Sequence, residues 1–237
     1  MKILSIECSA SPASCAIIDN GKLIASSYIN ARLTHSQTLM QMILNTLDNS
    51  HSSLAEIDSI AVATGPGSFT GLRIGISAVK GIAAPSNMPC FSVSTLAAMA
   101  ENFSDRDCIL CAVMDARCNQ FYNAMFRIKS GEITRLCDDR AILAEELTTE
   151  IKHFASDTQI IICGDGSDLL YKYISDVENI KLAPENLKFQ NAVGVGFYVY
   201  KNRDTINSVS PENLLPNYLR LPQAERELKA KNGGNTK

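Results

Sequence analysis

Residues 64–75, with the sequence TGPGSFTGLRIG, decide the fold of this chain. A buried strand is predicted before them, and an apolar helix is predicted over residues 70–84. Ser68 and Thr70 are residue types that cap the N-termini of helices. Small residues line one side of the helix and allow another backbone to approach closely: Gly71, Gly75 and Ala78. The stretch therefore predicts a tight turn that leads into a closely packed helix.

The same stretch could instead bind an anion, because the N–H groups of a helix N-terminus attract negative charge. The residues that would face a phosphate are Gly65, Gly67, Ser68 and Thr70. A phosphate-binding P-loop ends in Gly-Lys-Ser/Thr, whereas Leu72 and Arg73 follow Gly71 here. The dinucleotide-binding pattern also fails, since Thr70 stands where its third glycine belongs. Close packing is favoured, and anion binding stays open as the alternative.

The order of predicted elements is repeated along the chain. Each half begins with three strand-like runs and continues with a helix, a strand and a further helix. We place the boundary near residues 104–107, which gives domains 1–106 and 107–237 with a polar, frayed tail at about 224–237. Residues 190–201 have the composition of a strand but the place of a helix, so both assignments stay open. The pattern predicts a two-domain α/β protein.

A helix predicted over residues 36–48 has an unusually wide apolar face. The residues that form it are Leu39, Met40, Met42, Ile43, Leu44 and Leu47. They cover roughly 200° of the helix surface, about twice the arc with which a surface helix faces its own core. The excess could reflect deep burial within the chain, or a second face that another helix or subunit covers.

Composition and charge restrict the class of partner. A net charge of −3, from 22 Lys and Arg against 25 Asp and Glu, offers no basic excess for RNA. No apolar run approaches the roughly 20 residues that span a bilayer, and the opening MKILSIECSA is too short an apolar run for a signal peptide. We therefore expect a cytosolic protein whose eight cysteines are reduced and mostly buried.

The residues supply little catalytic apparatus. The three histidines lack the spacing of helical metal ligands: His35, His51 and His153. Cys108 and Cys111 lie in one predicted strand and point to opposite faces, so they cannot share a zinc ion. No Gly-x-Ser-x-Gly nucleophile turn occurs. Three carboxylates follow predicted strands and are read as turn formers, with a role as functional acids as the alternative: Asp115, Asp165 and Asp168.

Five stretches together resemble the TsaB (YeaZ) family: ILSIECSASPASCAIIDNGKLI, TGPGSFTGLRIGISAVKG, VMDARCNQFY, CGDG and PENLLPNYLR. They follow the family's order and spacing over nearly the whole chain. The resemblance implies the duplicated actin/Hsp70-like ATPase fold (ASKHA, ribonuclease H-like) with two domains. One departure is that Glu7-Cys8-Ser9-Ala10 replaces the family's usual Asp-Thr-Ala/Ser-Thr. The loss of threonine hydroxyls weakens the case for independent ATP binding.

The resemblance also implies a supporting, non-catalytic subunit of the bacterial system that makes threonylcarbamoyladenosine beside the tRNA anticodon. The chain would form a heterodimer with the catalytic TsaD, meet TsaE and tRNA through that complex, and homodimerise when alone. No cofactor is implied for this chain alone, and ATP is possible in the assembled complex.

The family's contact with TsaD is a bundle of the first two helices of each subunit, which correspond here to residues 36–48 and 70–84. The partner-binding residues that this implies are Leu39, Met40, Ile43, Leu44, Leu47, Leu72, Gly75, Ile76 and Val79. Two enzyme functions are the alternatives, namely a degenerate glycoprotease-like peptidase and a stand-alone ATPase of the same fold. The absence of a histidine pair and of a serine turn argues against the first, and the absence of a P-loop lysine argues against the second.

Overall fold

The computed structural model describes residues 1–31, 33–155 and 158–220. The strands are β1 (Lys2–Glu7), β2 (Ala13–Asp19), β3 (Lys22–Ile29), β4 (Ser59–Gly65), β5 (Cys90–Ser94), β6 (Cys108–Asp115), β7 (Gln120–Lys129), β8 (Glu132–Arg135), β9 (Arg140–Leu143), β10 (Ile160–Cys163) and β11 (Ile180–Leu182). The helices are α1 (His35–Asn49), α2 (Phe69–Ala83), α3 (Thr95–Glu101), α4 (Ala144–Ala155), α5 (Ser167–Tyr171), α6 (Glu185–Lys188) and α7 (Ala192–Lys201).

The two sheets repeat one topology. The first has the strand order β3-β2-β1-β4-β5, and the second has the order β8-β7-β6-β10-β11 with β9 also paired to β7. In both sheets the first three strands are antiparallel and the next two are parallel. The predicted duplicated actin/Hsp70-like fold is confirmed, and so are the predicted helices over residues 36–48 and 70–84.

Helices cover both faces of the first sheet. Leu4, Ile60 and Val62 pack on one face against α1 and α2, while Ile3 and Ala61 pack on the other against α7. The second sheet packs one face against α3 and the other against α4 and α5. Helices α3 and α7 therefore lie between the sheets. The described helices include none that is both long and apolar enough to cross a membrane.

Residues 190–201 contain a helix, which settles the ambiguity of their composition. The valines and aromatic residues of α7 favour a strand, but the helix is surrounded by apolar partners. Gly194 lets it approach α3 so closely that a Cβ atom would lie 2.1 Å from the carbonyl oxygen of Ala98. Asn191 caps the helix by accepting a hydrogen bond from the N–H of Gly194 at 3.2 Å. Packing and capping thus outweigh the intrinsic propensity.

The described strands divide between the sheets at the place predicted for the domain boundary, since β5 is the last strand of the first sheet and β6 opens the second. The later chain returns to the first sheet, because α7 packs on it and Leu214 is buried in its core. The division into 1–106 and 107–237 stays a prediction. The predicted frayed tail at 224–237 lies outside the described residues.

The glycine-rich turn packs directly on the end of β1. A Cβ atom at Gly71 would lie 2.0 Å from the carbonyl oxygen of Cys8, so only glycine fits there. The N–H of Ser68 donates a 2.7 Å hydrogen bond to the carbonyl oxygen of Ser9, and the Ser68 hydroxyl caps the helix by accepting from the N–H of Gly71 at 3.3 Å. These contacts fix the start of α2 on the first sheet.

We expect Gly71→Ala to lower the free energy of unfolding by about 2–3 kcal/mol, because the added methyl group overlaps a backbone oxygen that cannot move aside. Gly81→Ala is the matched control in the same helix, since a Cβ atom there meets nothing within 4 Å. It should stabilise the protein by about 1 kcal/mol through helix propensity. Urea unfolding of the two variants checks both signs, and equal effects would contradict the packing role of Gly71.

Candidate functional site

A cleft of about 1190 Å³ lies between the two domains. The carboxyl ends of β1, β6 and β10 reach it, as expected for the ligand side of parallel strands. The first domain contributes Ser9, His35 and the start of α2, and the second contributes Asp115, Arg117 and Asp165. The cleft is therefore the candidate for a small-molecule site in the described part of the chain.

Three of the four residues predicted to face an anion line this cleft: Gly67, Ser68 and Thr70. Gly65 does not line it, because the residue packs against the carbonyl oxygen of Asn217, which lies 2.3 Å from where a Cβ atom would be. Gly67 packs on Ser9 in the same close manner. The N–H groups of Ser68 and Gly71 already have protein acceptors. Close packing and internal hydrogen bonds therefore determine the shape of this loop.

Two carboxylates at the cleft have raised pKa values: Asp165 lines the cleft, and Glu7 is buried next to Ser9, which also lines it. Burial raises the pKa of Glu7 from 4.5 to about 7 and the pKa of Asp165 from 3.8 to about 6. One carboxylate oxygen of Glu7 accepts a hydrogen bond from the N–H of Ser9, and the other has no partner among the described residues. Asp165 accepts a 2.9 Å hydrogen bond from the side chain of Gln190.

These groups do not suit a nucleotide held by this chain alone. Asp115 and Asp165 line the cleft, Glu7 is buried behind Ser9, and Arg117 is the one Lys or Arg side chain among the described lining residues. Negative groups repel phosphate oxygens, and the N–H groups of Ser68 and Gly71 are already bonded within the turn. Nucleotide binding is therefore not assigned to this cleft, and ATP in an assembled complex stays a prediction.

The other polar residues that the sequence indicated as candidates each have a separate partner in the structure. Asp115 accepts a 2.7 Å hydrogen bond from the N–H of Arg117, which is the predicted turn-forming role, and Asp168 pairs with Lys188 at 2.7 Å. His35 starts α1 with its Nε2 at 2.8 Å from the carbonyl oxygen of Ala10. Within the described ranges, no group of three His, Cys, Asp or Glu side chains could hold a metal ion.

The cysteine prediction is confirmed. All eight thiols are free, and six are buried, while Cys137 is half-buried and Cys118 is exposed. Cys108 packs on the α3 side of the second sheet and Cys111 on the α4 side, so the two thiols of the CxxC sequence point to opposite faces.

Most of the residues predicted to bind a partner are used within the chain itself. Seven of the nine are buried: Leu39, Ile43, Leu47, Leu72, Gly75, Ile76 and Val79. A side chain inside the chain's own core is not available to another subunit, so the assignment is corrected for these seven. A charged substitution at Ile43 or Val79 would therefore disturb folding, and it could not be used to test association with a partner.

Met40 and Leu44 are the two predicted partner-binding residues that remain on the surface, with 47% and 51% of their area exposed. A groove of about 530 Å³, which Met40 also lines, separates the start of α1 from residues 69–78 of α2. Its lining includes Phe69, Arg73 and Ile74. We call Met40, Leu44 and this groove the helical face. Asp48 is the one Asp, Glu, Lys or Arg in α1, so the helix presents almost no charge to solvent.

A low-charge, partly apolar helical surface is typical of protein interfaces, since charged residues are depleted at their centres. The solvent side of an ordinary surface helix carries charged residues instead. The repeated sheets and the cleft define a two-domain protein of the actin/Hsp70-like fold, and the helical face is its exposed surface of low charge.

Comparisons with known proteins agree with this class. The family model described as "TsaD: tRNA N6-adenosine threonylcarbamoyltransferase" matches residues 28–226. The tRNA threonylcarbamoyladenosine biosynthesis protein TsaB of Bacillus subtilis is 26% identical over 230 residues, which are 95% of this chain and 96% of that protein. TsaB of Escherichia coli is 33% identical over 155 residues, 63% of this chain and 65% of that protein.

A crystal structure from Pseudomonas aeruginosa, of a protein described as similar to peptidase YEAZ, has the same fold. Its TM-score is 0.78 at 24% identity, with 92% of this chain and 99% of that chain covered. The chain belongs to the tRNA N6-adenosine threonylcarbamoyltransferase (TsaD) family, as one of its TsaB (YeaZ) members.

Sequence reasoning missed the contacts that residues 217–220 make with the cleft edge. The ring of Tyr218 stacks on Phe69 with 4.3 Å between centroids, and its hydroxyl accepts a 2.8 Å hydrogen bond from Arg73 Nε. Arg220 donates to the carbonyl oxygen of Ala116. The sequence PENLLPNYLR was a signal of the family, but nothing in its pattern indicates which distant residues it contacts.

We expect Glu7→Gln to make the protein more stable at alkaline pH. A carboxyl group with a raised folded-state pKa is neutral in both states below about pH 4.5, so the free energy of unfolding falls as the pH rises toward 7. Glutamine carries no charge, and the variant should gain about 3 kcal/mol at pH 8 but less than about 1 kcal/mol at pH 5.

Urea unfolding at the two pH values measures this difference. Glu132→Gln, at an exposed position of β8, is the control and should not change the pH dependence. The free energy of unfolding of Glu7→Gln should still depend on pH to some extent, because Asp165 titrates in an overlapping pH range. If Glu7→Gln gained the same free energy of unfolding at pH 5 and at pH 8, the raised pKa of Glu7 would be contradicted.

Proposed function

We propose that this chain is the supporting subunit that binds and activates a TsaD-type threonylcarbamoyltransferase in the modification of tRNA next to the anticodon. The helical face is the surface that binds TsaD. The observation that carries the proposal is the exposure of Met40 and Leu44 on a helix with almost no charge, beside an apolar groove.

Membership of the family supports the same proposal. TsaB of Bacillus subtilis, which matches along nearly its whole length, is named for threonylcarbamoyladenosine biosynthesis. The family model that matches this chain is named for the transferase itself. Because the two kinds of protein share one fold family, a heterodimer can form through equivalent helix pairs, with α1 and α2 supplying this chain's half.

The chemistry of the described residues supports a non-catalytic role. The cleft is lined by carboxylates and one guanidinium, and the N–H groups of Ser68 and Gly71 beside it have protein acceptors. The catalytic step is therefore assigned to TsaD. TsaE and tRNA meet this chain only through the complex, in keeping with its net charge of −3.

In the absence of TsaD, two copies of this chain pair through the helical face. An exposed apolar patch favours burial against any complementary surface, and a patch of this kind can pair with itself about a two-fold axis. Homodimer and heterodimer then compete for one surface, so TsaD should dissociate the homodimer.

We expect Met40→Glu and Leu44→Glu each to weaken binding to the TsaD of the same organism by about tenfold or more, because each places a charge in an apolar interface. Isothermal titration calorimetry measures the dissociation constants. The matched control is Leu143→Glu, since Leu143 is 43% exposed but lies on β9 of the second domain. Its affinity for TsaD should equal that of the unmodified chain.

The same variants test activation. Modification of tRNA by the reconstituted complex should fall with Met40→Glu and recover when its concentration is raised above the new dissociation constant. Binding that neither Met40→Glu nor Leu44→Glu affects would place the interface elsewhere. Tight binding without any effect on tRNA modification would overturn the activating role.

A further inference from the structure

Residues 209–220, which we call the C-terminal strap, run from the first domain to the second along one edge of the cleft. The strap begins on the first sheet, where Val209 and Cys90 exchange backbone hydrogen bonds of 2.8 and 2.9 Å. Lys80 of α2 then donates a 3.0 Å hydrogen bond to the carbonyl oxygen of Glu212, and Leu214 is fully buried in the first domain's core. This end of the strap is an integral part of the first domain.

The middle of the strap contacts the glycine-rich turn and the start of α2. The N–H of Asn217 donates a 2.7 Å hydrogen bond to the carbonyl oxygen of Thr64. Tyr218 stacks on Phe69 and accepts from Arg73, as described above. Phe69 and Arg73 both line the groove of the helical face. Through Tyr218 the strap thus fixes the positions of two groove residues, Phe69 and Arg73.

The far end of the strap is bound to the second domain. Leu219 packs against the core that contains Leu110 and Phe126, and Arg220 donates to the carbonyl oxygens of Ala116 and Arg117. These carbonyls open the turn at 117–119, in which three successive non-glycine residues have positive φ angles of 61°, 54° and 55°. Such a turn persists only where its surroundings hold it, and a charged donor on its carbonyls is one such restraint.

The strap therefore touches cleft-lining residues of both domains, namely Phe69 on one side and Ala116 and Arg117 on the other. Helices α3 and α7 join the domains as well, since both pack between the sheets. A cleft that is joined at two separate places cannot widen about one of them without breaking the other. Two-domain proteins can open and close by rotation of one domain against the other. The strap, as a second connection beside α3 and α7, restrains that rotation.

We infer that the C-terminal strap clamps the two domains at one cleft width and couples that width to the groove of the helical face. The clamp itself follows from the contacts of this chain. Its consequence for a partner rests on the proposed function, because it assumes that TsaD binds at the groove. Release of the strap should loosen the turn at 117–119 and the first turn of α2 together.

Hydrogen–deuterium exchange of the full chain, followed by mass spectrometry, tests the clamp. Arg220→Ala should accelerate exchange in peptides covering residues 115–122 by about fivefold, because the carbonyl oxygens of Ala116 and Arg117 lose the donor they share. Tyr218→Ala should accelerate exchange in residues 69–73 and also in 115–122, although its described contacts are with Phe69 and Arg73. That second, remote effect separates one continuous clamp from two local contacts.

Arg203→Ala is the matched control, because Arg203 also donates to a backbone carbonyl, that of Tyr200 at 2.8 Å, but lies outside the strap. It should leave exchange in residues 115–122 unchanged. Unchanged exchange in Arg220→Ala would overturn the clamp. Acceleration by Tyr218→Ala that stays within residues 69–73 would overturn its continuity.

Titration of the same variants with TsaD tests the coupling. Arg220→Ala should weaken binding about fivefold although Arg220 lies outside the helical face, because the groove loses its support. Equal affinity, despite faster exchange, would overturn the link between strap and groove. If no variant and not even the unmodified chain binds TsaD, the proposed function fails, while the exchange result on the clamp stands.

Discussion

The contact between the start of α2 and the end of β1 is the constraint on which the rest of the structure depends. With Gly71 against the carbonyl oxygen of Cys8, the helix lies one van der Waals contact from the strand, a distance that no other residue allows. This contact brings Ile76 and Val79 onto the first sheet and leaves Phe69 and Arg73 in the groove between α1 and α2. The loop's resemblance to a phosphate-binding turn is a by-product of this packing, because close approach of backbones requires glycine in both cases.

Much of the fold could be predicted because its signals are local. Strand-like and helical runs follow one another in the same order in both halves of the chain, and this repeated order indicated the duplication. The region of α7 could not be assigned, since valine and aromatic residues favour a strand and only packing decides otherwise. That packing depends on Gly194 meeting Ala98 and Gly196 meeting Ile18, residues more than 90 positions away in the sequence. The short elements β9, β11 and α6 had no signal of their own.

The candidate site was less accessible from sequence, and the reason is geometric. A wide apolar arc on a helix shows that much of the surface is covered but not which part the chain covers itself. In α1 the sheet takes Leu39, Ile43 and Leu47, so only the margin with Met40 and Leu44 is left for a partner. Glu7 and Asp165 belong to different domains, and their shared burial at the cleft appears only when the two domains are brought together.

The return of the late chain to the first sheet also governs the order in which this protein can be made. The first sheet needs α7 on one face and Leu214 in its core, and both are synthesised after the whole second sheet. On the ribosome the first domain therefore waits with an open apolar face while about a hundred further residues are added, a pattern that favours slow, late closure. The domain that begins the chain cannot complete its core until the last part of the described chain has been made, and it cannot be produced as a truncated fragment without exposing that core.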